Sequence, residues 1–186
     1  MDEKAAQPAP ARADEARPSL AIVVMGVAGC GKSAVGEALA EALGAVFVEG
    51  DRLHPPENVA RMASGEPLTD ALRAGWLDAI GQRIAGSVAG RQSVVAACSA
   101  LKRSYRDRLR GFCADIVFVY LEIDRETARQ RVGQRQGHFM PASLVDSQFA
   151  ILETPSLDER ALILDGTGSI SDIVTGTVGL LGGKTL

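Results

Sequence analysis

Five short apolar runs, at residues 20–25, 46–49, 93–98, 116–122 and 161–165, alternate with longer stretches in which apolar residues return every three or four positions. Runs this short, with little polar alternation inside them, are typical of strands buried on both faces. The intervening stretches predict helices at 33–43, 72–88, 124–135 and 143–152, the first stopped by Gly44. Strand and helix in alternation predict an α/β domain: a mostly parallel sheet with helices on both faces. Residues 1–18 (MDEKAAQPAPARADEARP) hold no aromatic or β-branched side chain that could anchor them. They are expected to be a disordered tail, leaving 19–186 as one domain without internal repeats.

Composition narrows the function classes. A chain of 186 residues is the size of a single domain, and 46% hydrophobic with 23% charged residues is ordinary for a globular one. A net charge of −3 gives no general attraction to nucleic acid or anionic lipid, so any anion must be held by a local cluster. No apolar run approaches the roughly 20 residues needed to cross a bilayer. The three cysteines, Cys30, Cys98 and Cys113, are odd in number and form no C-x-x-C pair. Neither a disulfide framework nor a zinc site is indicated, and a cytoplasmic location is the expectation.

Between the first predicted strand and the first predicted helix lies Gly26-Val27-Ala28-Gly29-Cys30-Gly31-Lys32-Ser33, which fits G-x-x-x-x-G-K-[ST] in the setting that motif requires. Glycines let the backbone curl until successive N–H groups converge on a phosphate, and the helix N-terminus adds its positive end. Gly26, Ala28, Gly29, Cys30, Gly31, Lys32, Ser33 and the following Ala34 are therefore the expected nucleotide site, for ATP. Lys32 is expected to reach the β and γ phosphates, and the Ser33 hydroxyl to ligate Mg²⁺. The motif fixes a nucleotide and leaves the reaction open.

A second cluster ends the second strand. Glu49 and Asp51, at i and i+2, share one strand face at the carboxyl edge of a parallel sheet, where ligands bind. One carboxylate is suited to organising hydrated Mg²⁺, the other to orienting an acceptor hydroxyl. A solvated strand end is the alternative.

The blocks GVAGCGKSAVG (26–36), EGDRLHPPENVARMASGEPLTD (49–70), CSALKRSYRDRLR (98–110) and GHFMPASLVDSQFAILETP (137–155) resemble, in order and spacing, the signature blocks of gluconate kinases, and span most of residues 20–155. The resemblance implies a fold of the nucleoside-monophosphate-kinase type, similar to shikimate kinase. That is a P-loop NTPase three-layer sandwich with a five-stranded parallel sheet and a mobile lid, here near 125–142. It also implies transfer of the γ-phosphate of ATP to D-gluconate, giving 6-phospho-D-gluconate, and a homodimer. Asp51 falls where such kinases activate the acceptor hydroxyl, and Glu49 at the neighbouring, metal-side carboxylate.

An acidic sugar needs a fixed cation at one end and mixed donors and acceptors along the rest. Lys102, Arg103, Arg106 and Arg108 place four cations in seven residues just after the third strand, and His54, Asn58, Arg61 and Arg73 offer more. Of these, His54, Asn58, Arg61, Arg73, Lys102 and Arg106 are the expected substrate contacts, with a basic exposed helix face as the alternative for each. Arg125, Arg129, Arg131 and Arg135 crowd the predicted lid. Arg131 and Arg135 fit the family pattern best as catalytic lid cations, and Arg125 and Arg129 read as surface charges. His138 is expected to pack in the lid beside the substrate.

The chain departs from the family pattern at one place. Where D-x-D-R-x-P-W-L is usual, it reads Asp70-Ala71-Leu72-Arg73-Ala74-Gly75-Trp76-Leu77. If the missing carboxylate holds a substrate hydroxyl or an arginine, Leu72 weakens substrate affinity. A kinase for a shikimate-like acceptor, or a catalytically weakened nucleotide-binding regulator, are the other readings of the same scaffold.

Overall fold

A computed structural model describes residues 18–134 and 143–182. The five apolar runs form strands β1 (Ala21–Met25), β2 (Val46–Glu49), β3 (Val94–Ala97), β4 (Val117–Glu122) and β5 (Ala161–Asp165). They make one sheet in the order β2-β3-β1-β4-β5, and every neighbouring pair is parallel. In register, Val23 at the centre lies between Ala96 of β3 and Phe118 of β4. The helices are α1 (Lys32–Leu43), α2 (Pro56–Ala63), α3 (Asp70–Ala89), α4 (Arg103–Arg110), α5 (Arg125–Gln134), α6 (Ser143–Ile151) and α7 (Ile170–Gly182).

The period of two along β1 sorts its side chains into two cores. Ile22 and Val24 join Val35, Leu39, Val119 and Ile173 on the face covered by α1 and α7. Ala21, Val23 and Met25 join Trp76, Ile80 and Leu109 on the face covered by α3 and α4. Covered on both faces, the middle strands have no need of polar alternation, which is why they read as continuous apolar runs.

Helix ends follow local chemistry. Gly44 closes α1 in the left-handed conformation at φ 61°. Pro56 opens α2, where a missing N–H costs nothing. Thr69 caps α3 by accepting from the Leu72 N–H at 3.3 Å. The short α2 and α4, and the longer α7, lie outside the four helices expected from periodicity. In α7, a Gly- and Thr-rich segment, Ile173 and the fully buried Thr177 face inward, and the Thr177 hydroxyl donates to Ile173 O at 2.7 Å, so it brings no unmet polar group into the core. The expected tail (1–18) lies outside the described residues except for Pro18. Of the expected lid, residues 125–134 form α5 and 135–142 lie outside the described residues.

Candidate active site

Because β1 is the central strand, the loop leaving its carboxyl end emerges mid-edge, and residues 26–33 curl there before α1 begins. Gly26, Gly29 and Gly31 have φ of 141°, 85° and 97°, values that side chains resist. Space is equally restrictive at Gly29, where a Cβ would lie 2.8 Å from Ala128 O of α5. The N-cap of α1 is Gly31, with no side chain bonding the first-turn N–H groups. That first turn lines a cavity of about 350 Å³. Together these features fit a phosphate cradle: converging amides, a helix N-terminus and the positive Lys32. Ala28, Gly29, Gly31, Lys32, Ser33 and Ala34 line the cavity. Gly26 and the buried Cys30 do not line it: a Cβ on Gly26 would lie 2.8 Å from Cys30 Sγ, so both act in shaping the loop. Lys32 Nζ donates to Val27 O at 2.9 Å.

The opposite wall comes from the turn after β2 and from α3. Gly50–Leu53 form one 3-10 turn, and a Cβ on Gly50 would sit 2.2 Å from Ala97 O. Only glycine lets the chain pass that close to β3, and the passage delivers Asp51 to the cavity. Glu49 caps this turn, its Oε1 accepting from the Asp51 N–H at 3.3 Å. Glu49, expected on the metal side, does not line the cavity, and the bond it makes in the structure is to the Asp51 backbone.

Trp76, 1% exposed, donates from Nε1 to Gly50 O at 2.8 Å and carries the His54 ring stacked on it at 4.1 Å. Burial pushes the His54 imidazole down to about 4, against the pull of Asp51 and with help from Arg73. His54 is therefore neutral near pH 7. Its Nδ1, and Nε of the 7% exposed Arg73, are buried without a partner among the described residues. Both residues line the cavity. Buried polar atoms are nearly always paired, and two unpaired ones on residues that line the same cavity fit a wall built to meet a polar ligand. The third wall belongs to α5: Arg131 Nη1 donates to Gly166 O at 2.9 Å and to Gly29 O at 3.4 Å, tying the loop after β5 to the glycine loop.

The structure thus brings Lys32, Ser33, Asp51, His54, Arg73 and Arg131 to one cavity, and directs four other expected contacts elsewhere. Arg106 is fully buried in an ion pair with Glu159 at 2.6 Å. Asn58, 2% exposed, donates to Leu72 O at 2.9 Å and braces α2 against α3. Lys102 pairs with Asp70 at 2.8 Å and Arg61 with Glu66 at 2.9 Å, both outside the cavity lining. In each case a nearer carboxylate or carbonyl takes the donor. Arg135 and His138 lie outside the described residues. Arg125 and Arg129 both pair with Asp146 and are exposed, in keeping with surface charges. Sequence reasoning did not single out Ser99 or Gln148, which line the cavity from inside the CSALK and SQF segments. Their signal was the density of those blocks, with no titratable side chain to draw attention to them.

Leu72 is 36% exposed and does not line the cavity, and the space around a Cβ at Gly75 is open. The two departures from the family pattern therefore fall on the outer face of α3, away from Arg73.

Comparison with known proteins agrees with this geometry. The AAA domain family matches residues 22–155. The chain is 48% identical over 145 residues to the gluconokinase of Gluconobacter oxydans (strain 621H), spanning 78% of this chain and 82% of that one. It is 45% identical over 147 residues to the probable gluconokinase of Schizosaccharomyces pombe (strain 972), spanning 76% of each. Among solved structures it resembles a gluconokinase from Sinorhizobium meliloti 1021 at TM-score 0.79 and 47% identity, covering 89% of this chain and 93% of that one. With two thirds or more of each relative covered at well above 30% identity, and the same five-stranded P-loop kinase fold, the chain belongs to the gluconokinase family.

Proposed function

We propose that this protein is an ATP-dependent gluconokinase, transferring the γ-phosphate of ATP to D-gluconate to give ADP and 6-phospho-D-gluconate. The observation that carries the reading is a single cavity with a phosphate loop at one end and a wall bearing a carboxylate, a neutral imidazole and an incompletely paired guanidinium at the other. A sugar acid complements that wall: its carboxylate suits Arg73 and its hydroxyls suit His54 and Asp51.

In this mechanism the loop amides and Lys32 hold the triphosphate and meet the negative charge that builds on the transferring group. Asp51, aligned by Glu49, accepts the proton of the acceptor alcohol as its oxygen bonds to the γ phosphorus and the bond to the ADP oxygen breaks. Arg131 stands where it supports the loop and the departing charge. The Ser33 hydroxyl at the cavity wall is a hard oxygen donor of the kind Mg²⁺ takes, and this cation needs few protein ligands because phosphates and water supply the rest. When bound, Mg²⁺ supplies further neutralisation of phosphate charge. By the same resemblance the working form is a cytoplasmic homodimer with a lid over residues 125–142. No described helix is long and apolar enough to cross a membrane.

A coupled ADP-release assay over a panel of sugar acids and shikimate tests the assignment. Gluconate-dependent turnover that collapses by at least about a thousandfold in Lys32→Ala is the expected result. Turnover with shikimate and none with gluconate would overturn it.

A further inference from the structure

The glycine loop is held by a side chain that the kinase chemistry does not require. Ala28 N–H donates to Oε1 of Gln148 at 2.7 Å, across 120 residues of sequence. Ala28 is 6% and Gln148 7% exposed, so water is poorly placed to replace either partner. A loop rich in glycine is intrinsically loose, and its phosphate affinity depends on amides being fixed before the ligand arrives. The bond to Gln148 does that fixing one residue before Gly29, where the loop turns toward the phosphates.

The helix that carries Gln148 has a second attachment. Leu144, Ser147 and Gln148, at i, i+3 and i+4, lie on one face of α6, and all three line the cavity. Leu144 belongs to a small apolar cluster with Met62 of α2 and Leu68 of the segment before α3, so its end of α6 is seated on the acceptor wall. One helix face thus joins the acceptor wall, through Leu144, to the donor loop, through Gln148.

We propose that Gln148 is a positioning residue for the donor site: by accepting from Ala28 N–H it locks the phosphate loop to the helix that also walls the acceptor end. The inference rests on the kinase reading of the cavity, though not on which acceptor is used. Gln148 need not touch either substrate. Its loss leaves a buried N–H unpaired and frees the loop, while Leu144 keeps the acceptor wall in place. Donor binding should therefore suffer and acceptor binding should not, a split that general destabilisation does not produce.

The test uses the full chain with Gln148→Leu and Gln148→Glu. The Kd of a fluorescent non-hydrolysable ATP analogue is measured directly, with KM for gluconate and the melting temperature alongside. Gln148→Leu should raise the analogue Kd about tenfold, the effect of one orphaned buried donor, with the gluconate KM within about twofold of wild type. Gln148→Glu keeps an oxygen for Ala28 N–H but brings a charge to a site 7% exposed, so its melting temperature should fall below that of wild type. It places a negative charge beside the phosphates, so its weakened analogue binding should recover as salt is raised. An analogue Kd within about twofold of wild type in a folded Gln148→Leu, or equal losses for both substrates, overturns the proposal. Should the leucine variant fail to fold, Gln148→Met, which keeps the length of the side chain and removes the carbonyl oxygen, carries the same expectation, and an analogue Kd within about twofold of wild type in it overturns the proposal equally. If analogue binding depends on Gln148 while gluconate is not phosphorylated, the positioning role stands and the gluconokinase assignment falls.

Discussion

Arg106 and Arg73 lie on α4 and α3, neighbouring helices on the same face of the sheet, and both are hidden from water, at 0% and 7% exposure. Arg106 is saturated: Nε and Nη2 donate to the two oxygens of Glu159 at 2.6 and 2.8 Å, and Nη1 donates to Ala100 O, Leu101 O and Glu153 O at 3.2, 3.3 and 3.0 Å. Arg73 has its Nε unpaired among the described residues and its guanidinium 5.8 Å above the Tyr105 ring. Asp70, the carboxylate bonded to that tyrosine, is already taken by the Tyr105 hydroxyl at 2.5 Å and by Lys102. A buried cation with a full set of acceptors is a structural bolt, whereas a buried cation held short of partners at a cavity is waiting for an anion.

Breaking the bolt should produce the largest effect. Removing one partner of a buried pair strands the other charge, so Arg106→Ala or Glu159→Ala should cost about 3–5 kcal/mol of stability. In a chain of this size that lowers the melting temperature by on the order of 10 °C. Replacing both, Arg106→Met with Glu159→Leu, should recover much of the loss. The Arg106 guanidinium holds the Glu159 carboxyl down at about 2, below the ordinary carboxylate value. The pair's contribution is therefore present above pH 4.5 and lost as pH falls toward 2, and in the double variant that acid-limb slope should be shallower. Melting curves from pH 2 to 7 check both points. A wild-type melting temperature in Arg106→Ala would erase the distinction between the two arginines.

Arg73 should respond in the opposite sense. Arg73→Met removes an incompletely paired buried charge, so stability should hold or rise, while kcat/KM for gluconate falls on the order of a hundredfold and ATP affinity is retained. Arg73→Lys keeps the charge without the planar fork and should fall between. Steady-state kinetics with each substrate varied, beside thermal melts, separates these outcomes. A variant that melts early and binds gluconate normally would make Arg73 a second bolt.

The difference between these two arginines is what the sequence could not show. The middle strands were legible because burial on both faces writes itself as an apolar run, and the less buried edge strands β2 and β5 begin and end where their own apolar runs do. The glycine loop was legible because its backbone geometry restricts residue type. Charged side chains carry no such mark, since their role depends on partners that the fold supplies. Arg106 meets Glu159 from 53 positions away, and Asn58 spends its amide on Leu72 O. Gln148 was equally silent, as its bond to the Ala28 N–H spans 120 residues. The short α2 and the Gly- and Thr-rich α7 are weak helix formers by propensity and depend on packing against the core.

The smallest effect expected, and the finest test of the comparison, lies in the ring between Asp51 and Arg73. His54 has its pKa at about 4 in the fold against an ordinary 6.5, first because it is buried on Trp76 and in part because Arg73 repels a second positive charge. Between those two values the unfolded chain binds a proton that the folded chain refuses. Its contribution to stability is therefore complete above pH 6.5 and is lost as pH falls toward 4. His54→Phe keeps a ring on Trp76 and removes the titration, so its melting temperature should fall less than wild type across that window. In Arg73→Met one of the causes of the depression is gone, and the His54 Cε1 proton, followed by NMR, should titrate at a higher pH than in wild type. Removing Arg106, whose charge is already met by Glu159, should leave that titration where it was. A shift of the imidazole with Arg106 rather than with Arg73 would mean that the incompletely paired charge at the cavity had been assigned to the wrong helix.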